Sequence, residues 1–450
     1  MYLGISIFKK DKQFIERRRN MAEIEDLMRD CLKAMKGKIC LFAFVLIFMF
    51  MIVPLSAVQA QPKGEPVKIG VLLPYTGPLA WVCGCAPAVD LAIKEINEAG
   101  GIHGRPAKKV EADTEGKVDA SVAGARKLLD VDKVLAIIGP TSVTIRSVIP
   151  LGVERKSLII SPTAGTTALD KDPNGGKIVF RTVSSDTVMG SGMVYHAISL
   201  GAKKVALFFE DSESAASIKG VVKPGCKAKG LQIVGDMVIT PGAPSYRSEL
   251  LRLTKNKPDV ILYELAPPEG AIVFKELTEL GLTGQWIGTD FVNDKFAEAT
   301  WPASKGVKGV NPAALISPRY KAWAKDLEAT TGKPGVSQFS ENAYDAMNII
   351  GLALEGSKKV NRQAILDNIR KVSSPPGEKV NNFAEGAKLL RQGKDIDYDG
   401  IAGSQDFDQY GNAITYLRVV VIEGGKLKRI GTLTDKEVGP IVTEVLKLRK

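Results

Sequence analysis

The sequence predicts an α/β fold of two doubly wound lobes, each a parallel sheet covered on both faces by helices. From Val67 onward, short apolar β-rich runs alternate with amphipathic helical stretches, and this alternation occurs as two successive series, each about as long as a domain. The strand candidates are continuously apolar, which is typical of parallel strands buried on both faces. A chain of 450 residues that is 45% hydrophobic is long enough for two or three domains.

The first series opens with a strand and a helix that the residue pattern defines well. Val67–Leu73 is almost entirely apolar, and Ala86–Ala99 carries small and apolar residues on one face until Gly100 and Gly101 end the helix. The other elements predicted in this series are the strands Lys109–Ala112, Val134–Ile138 and Leu158–Ser161 and the helices Val118–Leu129 and Val143–Glu154.

The second series follows Phe180. Its predicted strands are Val205–Phe209, Gln232–Met237, Val260–Tyr263 and Trp286–Gly288, and its helices are Val188–Leu200, Ala215–Lys229, Ser248–Thr254 and Glu269–Leu280. Two longer helices, Tyr320–Thr330 and Glu341–Leu354, and two β-rich runs, Ala413–Ile422 and Lys426–Thr432, come after them. Ligands of such sheets bind beyond the carboxyl ends of the strands, at helix N-termini, so the loops that follow strands form the candidate site.

The N-terminal 60 residues have the features of an export signal. Ile39–Leu55 is an uncharged apolar run of 17 residues, and small side chains follow it up to Ala60. This predicts a secretory signal peptide cleaved after Ala60, although a retained anchor is the alternative because the run is near the lower limit for a membrane span. Lys33, Lys36 and Lys38 precede the run and supply the basic start of a signal peptide. We expect translation to begin at Met35 or Met21.

Composition argues against several classes of function. His103 and His196 are the only histidines, which disfavours zinc chemistry and most general-base catalysis. Gly175-Gly176-Lys177 is followed by Ile178 and so lacks the hydroxyl of a P-loop, and no GxSxG or HExxH motif occurs. The net charge of +11 is spread thinly, without a basic run that would bind nucleic acid. We therefore expect that the protein is not an enzyme and has no cofactor and no metal site.

Several short motifs occur in a characteristic order and spacing. They are Thr76-Gly77-Pro78, Ile96-Asn97, Gly100-Gly101-Ile102, Ile137-Ile138-Gly139-Pro140 with Ser142, Ile160-Ser161-Pro162-Thr163, Tyr344-Asp345-Ala346 and Asp406-Phe407-Asp408-x-x-Gly411. Over about residues 66–433 the chain resembles the type I periplasmic binding proteins, the leucine/isoleucine/valine-binding family. The resemblance implies two lobes that close on a ligand about a hinge.

The resemblance also implies three hinge crossings between the lobes. We expect them near Ser184–Asp186, near Gly309–Ala313 and near Ile401–Ser404. The domain assignment that follows is a leader at 1–60, a first lobe of 66–184 plus 312–401, a second lobe of 185–311 plus 402–433, and a C-terminal segment at 434–450.

Residues of the first lobe are expected to hold the polar end of the ligand. Ser142 lies at the start of a predicted helix, where its hydroxyl and the free amides of the first turn suit a carboxylate. The matching family position binds an α-carboxylate, and an ordinary helix cap is the alternative. The resemblance adds the loop with Thr163, Ala164 and Thr166, in which Gly165 replaces the family's Thr.

An acidic residue of the second lobe is expected to face them. Asp290 matches the residue that the family uses for an α-ammonium group, and a solvated loop Asp or helix cap is the alternative. Glu264, at a strand end, is a second acidic candidate. Ser214 replaces the family's aromatic residue in one loop, and Ala266 stands where a Tyr occurs, so the cleft is expected to admit ligands larger than leucine.

The first loop contributes Trp81, which either stacks on the ligand or packs in the interior. Cys83 and Cys85 flank Gly84 in this loop; small packing residues or a redox or soft-metal feature are the two interpretations. The other cysteines are Cys31, Cys40 and Cys226, and no CxxC pair occurs.

Together these features predict an extracytoplasmic solute-binding protein of an ABC importer, which binds an amino acid or related small molecule by hinge closure. Its expected partners are that ligand and an inner-membrane ABC permease, and the protein is expected to be a monomer in the periplasm. The alternative is a ligand-sensing receptor subunit of the same fold that binds an amide or an aromatic acid.

Overall fold

Residues 62–413 and 415–449 are described by the computed structural model. The predicted signal peptide, its cleavage site after Ala60 and both candidate start methionines lie outside the described residues. Within the described part, none of the helices has the length and apolar character needed to span a membrane.

The first sheet has five strands, and every pairing in it is parallel. The strands are β1 Val67–Leu73, β2 Ala107–Asp113, β3 Ala136–Ile138, β4 Leu158–Ser161 and β5 Val179–Arg181, in the order β2-β1-β3-β4-β5. The helices between them are α1 Ala86–Glu98, α2 Val118–Arg126 and α3 Ser142–Arg155. Leu72 packs beneath α2 and α3, whereas Val71 and Leu73 pack beneath α1. Both faces of the sheet are therefore buried, as the apolar strand pattern predicts.

The second series repeats this arrangement. Its strands are β6 Lys204–Glu210, β7 Gln232–Ile239, β8 Val260–Glu264, β9 Gln285–Gly288 and β10 Lys308–Ala313, and its helices are α4 Asp186–Ser199, α5 Glu213–Ala228, α6 Arg247–Thr254, α7 Pro267–Glu279 and α8 Asp294–Thr300. Residues of α4 and α5 form a core on one face of the sheet, and residues of α6, α7 and α8 form a core on the other.

The chain then returns to the first sheet. The elements here are α9 Pro318–Thr331, α10 Ser340–Glu355, α11 Arg362–Ser373, β11 Glu378–Val380, α12 Phe383–Arg391 and β12 Ile396–Tyr398, with β11 and β12 forming a two-stranded parallel sheet. Every residue of α10 is buried, and its apolar side chains join those of α1 in one core. This helix is the central element of the first lobe on that face.

The last elements complete the second sheet. They are β13 Tyr416–Glu423, β14 Lys426–Leu433 and α13 Asp435–Leu448, and the sheet order is β14-β13-β10-β9-β8-β6-β7. β13 pairs antiparallel with β10 and with β14, whereas the other pairings are parallel. The α/β fold of two doubly wound lobes is thus confirmed, with two antiparallel strands at one edge of the second sheet.

The chain passes between the two sheets three times: after β5, after β10 and between β12 and β13. The second passage was predicted near Gly309–Ala313, but β10 runs through these residues and pairs with β13 along its whole length. The chain therefore leaves the second sheet after Ala313, and residues 314–317 lead to α9. The lobe boundaries given above stay a prediction. Pro312 and Ala313, which that assignment placed in the first lobe, pair with β13 in the second sheet.

The C-terminal segment at 434–450 contains a helix that belongs to the second lobe. Val438, Ile441 and Val445 of α13 are buried in the core formed with α4 and α5. Thr434 and Glu437 begin the helix with a capping box, in which each side chain bonds the backbone of the other residue. The sequence pattern predicted no element here because the segment contains Pro440 and continues no βα unit.

A buried carboxylate holds the third passage in place. Asp345 of α10 accepts hydrogen bonds from the Tyr398 hydroxyl at 2.8 Å and from the backbone amides of Ile401 and Ala402 at 2.9 and 2.8 Å. A Cβ at Gly400 would lie 2.2 Å from an Asp345 carboxylate oxygen, so only glycine fits beside it. Asp345 and Gly400 together therefore fix the conformation of the segment that follows β12.

We expect Asp345→Ala to lower the free energy of unfolding by about 2–5 kcal/mol, because two amides and a hydroxyl lose their acceptor in the interior. Urea denaturation measures this change. Tyr398→Phe is the matched control and should cost only about 1 kcal/mol, since it removes one hydrogen bond. A loss below about 0.5 kcal/mol for Asp345→Ala would contradict the assignment.

Candidate ligand-binding site

A cavity lies between the two lobes, at the carboxyl ends of strands from both sheets, and encloses about 530 Å³ of space that is partly open to solvent. Five of the predicted site residues line it, namely Trp81, Ser142, Thr163, Ser214 and Asp290. The loops after β1, β3 and β4 therefore meet the loops after β6 and β9 at one cavity. This is the arrangement expected of ligand sites in doubly wound sheets.

Three predicted residues are not among the residues that line the cavity. Ala164 is buried in the core beneath α3. Thr166 is buried as well, and its hydroxyl accepts a hydrogen bond from the Ala168 amide at 3.3 Å, which caps a short 3₁₀ turn. Glu264 is fully buried at the end of β8. Thr166 and Glu264 can influence the cavity only through their neighbours.

Ser142 is the first residue of α3 and is not its cap. The capping position belongs to Thr141, whose hydroxyl makes no hydrogen bond, and the Ser142 hydroxyl instead accepts one from the Thr166 amide at 3.2 Å. The hydrogen bonds of the helix begin with the Thr144 amide, which donates to the Thr141 carbonyl at 3.1 Å. The amides of Ser142 and Val143 precede that bond, so they are available to an anion in the cavity.

A tight turn brings α3 to the cavity. Gly139 has a φ of +112°, and a Cβ there would lie 2.1 Å from the Leu72 carbonyl oxygen. Only glycine tolerates both the positive φ and the close approach. The chain can therefore turn directly from β3 into the helix N-terminus.

The loop after β4 is held by one hydroxyl. Ser161 donates to the Pro140 carbonyl at 2.6 Å and accepts hydrogen bonds from the amides of Thr163 and Ala164 at 3.2 and 2.9 Å. These bonds tie the two ligand-facing loops together and place Thr163 in the cavity wall. The Thr163 hydroxyl is buried without a hydrogen-bond partner, so it is available to a ligand.

Asp290 is 8% exposed and faces the cavity from the second lobe. Burial raises the pKa of Asp290 to about 7, and the nearby charge of Asp186 contributes to this shift. Burial also raises the pKa of Glu264 well above its ordinary value, with added repulsion from Asp290 and Asp186. Neither Glu264 oxygen is hydrogen-bonded, although the Ser214 hydroxyl lies beside the carboxyl.

Asp186 was predicted only as a crossing residue, yet it lines the cavity. It is the first residue of α4, and its amide donates to the Gly165 carbonyl at 2.7 Å. Its carboxylate oxygen Oδ1 lies 2.1 Å from where a Cβ of residue 165 would be. Gly165 stands where the family has a Thr, but no local pattern in the sequence indicates that an acid 21 residues further on occupies that space.

Comparison with known proteins shows the family of this chain. A family model described as periplasmic binding protein matches residues 66–426. This chain belongs to the periplasmic binding protein family.

Named relatives of this periplasmic binding protein span much of its length. It is 27% identical over 392 residues to the chemotactic signal transduction system substrate-binding protein BasB of Halobacterium salinarum, which covers 83% of this chain and 92% of that protein. It is 28% identical over 296 residues to the Leu/Ile/Val-binding protein BraC3 of Rhizobium johnstonii, which covers 64% of this chain and 79% of the relative.

Solved structures share its fold. The leucine binding protein LivK of Thermotoga maritima gives a TM-score of 0.71 at 22% identity, over 82% of this chain and 99% of that one. A solute binding protein of R. palustris in complex with benzoate gives a TM-score of 0.68 at 20% identity, over 83% of this chain and 99% of that one. At this identity the likeness concerns the fold alone.

The two lobes of the periplasmic binding protein contact each other beside the cavity. Trp81 of the first lobe stacks on Phe339 at 6.2 Å between ring centroids and meets the Phe291 ring of the second lobe edge-on at 5.5 Å. The Thr167 amide also donates to the Ser217 hydroxyl of α5 at 2.9 Å. Trp81 is thus both a packing residue and part of the wall, and the lobes are in contact in this structure.

The cysteines near the cavity have packing environments. Cys83 donates its thiol to the Ala80 carbonyl at 2.9 Å, and Cys85 is fully buried, which raises the pKa of its thiol to about 12. Cys83, Cys85 and Cys226 are free thiols. Across residues 62–413 and 415–449, no group of three or more His, Cys, Asp or Glu side chains is arranged to hold a metal ion.

The raised pKa values of Asp290 and Asp186 make the stability of the ligand-free protein depend on pH. Burial raises the pKa of Asp186 to about 6, and the charges that face Asp290 are the carboxyls of Asp186 on α4 and Glu264 on β8. The unfolded chain has Asp pKa values of about 3.9, so the folded state binds these protons more tightly. The destabilisation is therefore absent below about pH 4 and grows as the pH rises to about 7.

We expect Asp290→Asn to gain stability relative to the wild type as the pH rises from about 4 to about 7, because the amide has no charge to bury. Urea denaturation at the two pH values measures the difference. Asp211→Asn, at an exposed acid of the same lobe, is the control and should follow the wild type. Parallel stability curves for Asp290→Asn and wild type would show that the carboxyl ionises normally.

Proposed function

We propose that this protein captures an amino acid or a related small molecule outside the cytoplasmic membrane and delivers it to an ABC importer. The observation that carries the proposal is the opposition of two groups across one cavity. The first lobe presents the free amides at the N-terminus of α3, and the second lobe presents the Asp290 carboxyl. An α-carboxylate and an α-ammonium group match these two groups.

The first lobe would hold the carboxylate. The amides of Ser142 and Val143 and the Thr163 hydroxyl converge on the cavity, and the helix N-terminus adds a positive partial charge. The Ser142 hydroxyl, positioned by its hydrogen bond with the Thr166 amide, would donate to the ligand. Ser161 keeps the two loops in register, so these donors require little reorganisation on binding.

The second lobe would hold the ammonium group. Asp290 is buried without a basic partner in the cavity wall, and an ammonium group would neutralise it and lower its pKa. Because the two ends of the ligand would contact different lobes, the ligand binds the closed arrangement more tightly than the open one. Such differential affinity is what shifts the equilibrium toward closure.

The proposal includes the surroundings of the protein. Its partners are the small-molecule ligand and an inner-membrane ABC permease that docks on the lobes. It is a monomer, secreted through a cleaved N-terminal signal peptide, and it releases the ligand chemically unchanged without a cofactor. Membership of the periplasmic binding protein family supports this location and this mode of action.

A sensory role is the second candidate. The relative of Halobacterium salinarum is named as part of a chemotactic signal transduction system, and a neighbour of the same fold binds benzoate. The buried acids argue against an aromatic acid without an amino group as the ligand here, since Asp290 and Asp186 would then lack any cationic partner.

We expect Ser142→Ala and Asp290→Asn each to weaken amino acid binding by about tenfold or more, since each removes a charge-assisted hydrogen bond of about 1.5–3 kcal/mol. Isothermal titration calorimetry of the purified protein with a panel of amino acids measures the affinities. Asp211→Asn should bind as the wild type does. Recovery of altered ligand would instead indicate an enzyme, and equal affinities for all four proteins would remove the proposed site.

A further inference from the structure

The first passage between the lobes brings an acid into the cavity at an unusual position. Asp186 is 3% exposed, and its Oδ1 fills the space that a side chain at Gly165 would need. Its Oδ2 is buried without a hydrogen-bond partner. Asp186 is one of the residues that line the cavity, so this unpartnered oxygen belongs to the cavity wall.

The nearest cation is already engaged. Arg181 donates to the Asp170 carboxylate at 2.6 Å, to the Asn412 side chain at 2.9 Å, and to the carbonyls of Gly165 and Thr166 at 2.8 and 3.0 Å. This guanidinium favours the ionised form of Asp186 from a distance but makes no ion pair with it. The Asp186 charge therefore remains to be matched.

Two hydroxyl groups near Asp186 donate their hydrogen bonds to another residue. Ser185 and Thr187 donate their hydroxyls to Asp170, at 2.6 and 2.8 Å. The Ser217 hydroxyl lies beside Asp186 and lowers the pKa of the carboxyl, but it donates to the Thr167 hydroxyl at 3.2 Å. Apart from this contact with Ser217, no side chain of the described residues pairs with Asp186, and its Oδ2 keeps no hydrogen-bond partner.

The charges of the cavity do not balance with a simple amino acid. Its carboxylate would meet the α3 amides, and its single ammonium would face the two neighbouring carboxyls of Asp290 and Asp186, which leaves one negative charge unmatched. No lysine or arginine is among the described residues that line the cavity. An unpaired buried carboxylate is costly, whereas a cation placed against it removes that cost.

We propose that Asp186 forms a second cation-binding position in the cleft, so that the preferred ligands are amino acids whose side chain carries a positive charge. This inference rests on the proposed function of the same site. Gly165 is the second half of the position, because any side chain there would collide with the Asp186 carboxylate in its present place. The Leu79 and Val143 side chains also line the cavity and offer contacts to the aliphatic part of such a ligand.

The test compares pairs of ligands that differ in charge and little in shape. L-Lysine is compared with L-norleucine, and L-arginine with L-citrulline, by isothermal titration calorimetry of the wild-type protein. The charged member of at least one pair should bind about tenfold more tightly or better, because it supplies the partner of a buried charge. Equal or weaker binding of both charged members would overturn the inference.

Two variants test whether Asp186 and Gly165 cause the preference for positively charged ligands. Asp186→Asn keeps the shape of the side chain and removes its charge, and Gly165→Ala adds a Cβ that displaces the carboxylate. Each should reduce the ratio of charged to uncharged affinities by about tenfold or more, whereas Asp211→Asn should keep the wild-type ratio. Thermal unfolding verifies that the variants are folded, and a ratio that folded Asp186→Asn retains would overturn the inference.

The outcomes separate this inference from the proposed function. If norleucine or citrulline binds with an affinity that depends on Ser142 and Asp290, and the charged partners bind no better, the proposed function stands and only the second position is wrong. If none of the four amino acids binds but another amino acid of the panel does, only the second position is wrong; if no amino acid of the panel binds, both are wrong.

Discussion

The burial of carboxyl groups between two lobes, without a basic side chain to match them, is the constraint on which the site depends. Asp186, Glu264 and Asp290 come from three different segments and repel one another strongly enough to raise the pKa of Glu264 and Asp290 beyond the effect of burial alone. Such groups must take up protons or meet a cation. In our proposal a positively charged ligand would supply that cation.

The polarity of the cavity follows from the way parallel sheets are built. The carboxyl ends of β3 and β4 deliver Ser142 and Thr163 at the N-terminal end of α3, where free amides attract anions. The end of β9 delivers Asp290 from the opposite lobe. In the proposed function one lobe accepts the anionic end of a zwitterion and the other its cationic end, which would couple closure to ligand binding. Trp81 and Phe291 already join the two lobes beside the cavity.

The ion pair of Arg181 and Asp170 stabilises the first passage between the two sheets. Arg181 also holds the carbonyls of the 164–166 loop and the Asn412 side chain, so one buried guanidinium joins the first lobe to the third passage. Arg449, after α13, donates to Thr187 at 3.0 Å and approaches Asp170 at 3.5 Å. With the hydroxyls of Ser185 and Thr187, these groups occupy Asp170 and leave Asp186 free to face the cavity.

Local patterns in the sequence determined the strands β1 and β4, the helix α1 and the two doubly wound series, because burial on both faces leaves a continuous apolar signal in each segment. Ser142 and Asp290 were indicated by the resemblance to a known family, and local patterns added only that both follow strands. Only the tertiary structure decided that Gly309–Ala313 is a strand, because its glycine and proline hide a pairing with the distant β13. Likewise, only the folded chain brings Asp186 into the space beside Gly165, 21 residues earlier. Contacts between distant segments leave no periodic signal in either segment. For that physical reason only the folded structure shows which charged groups meet at the cavity.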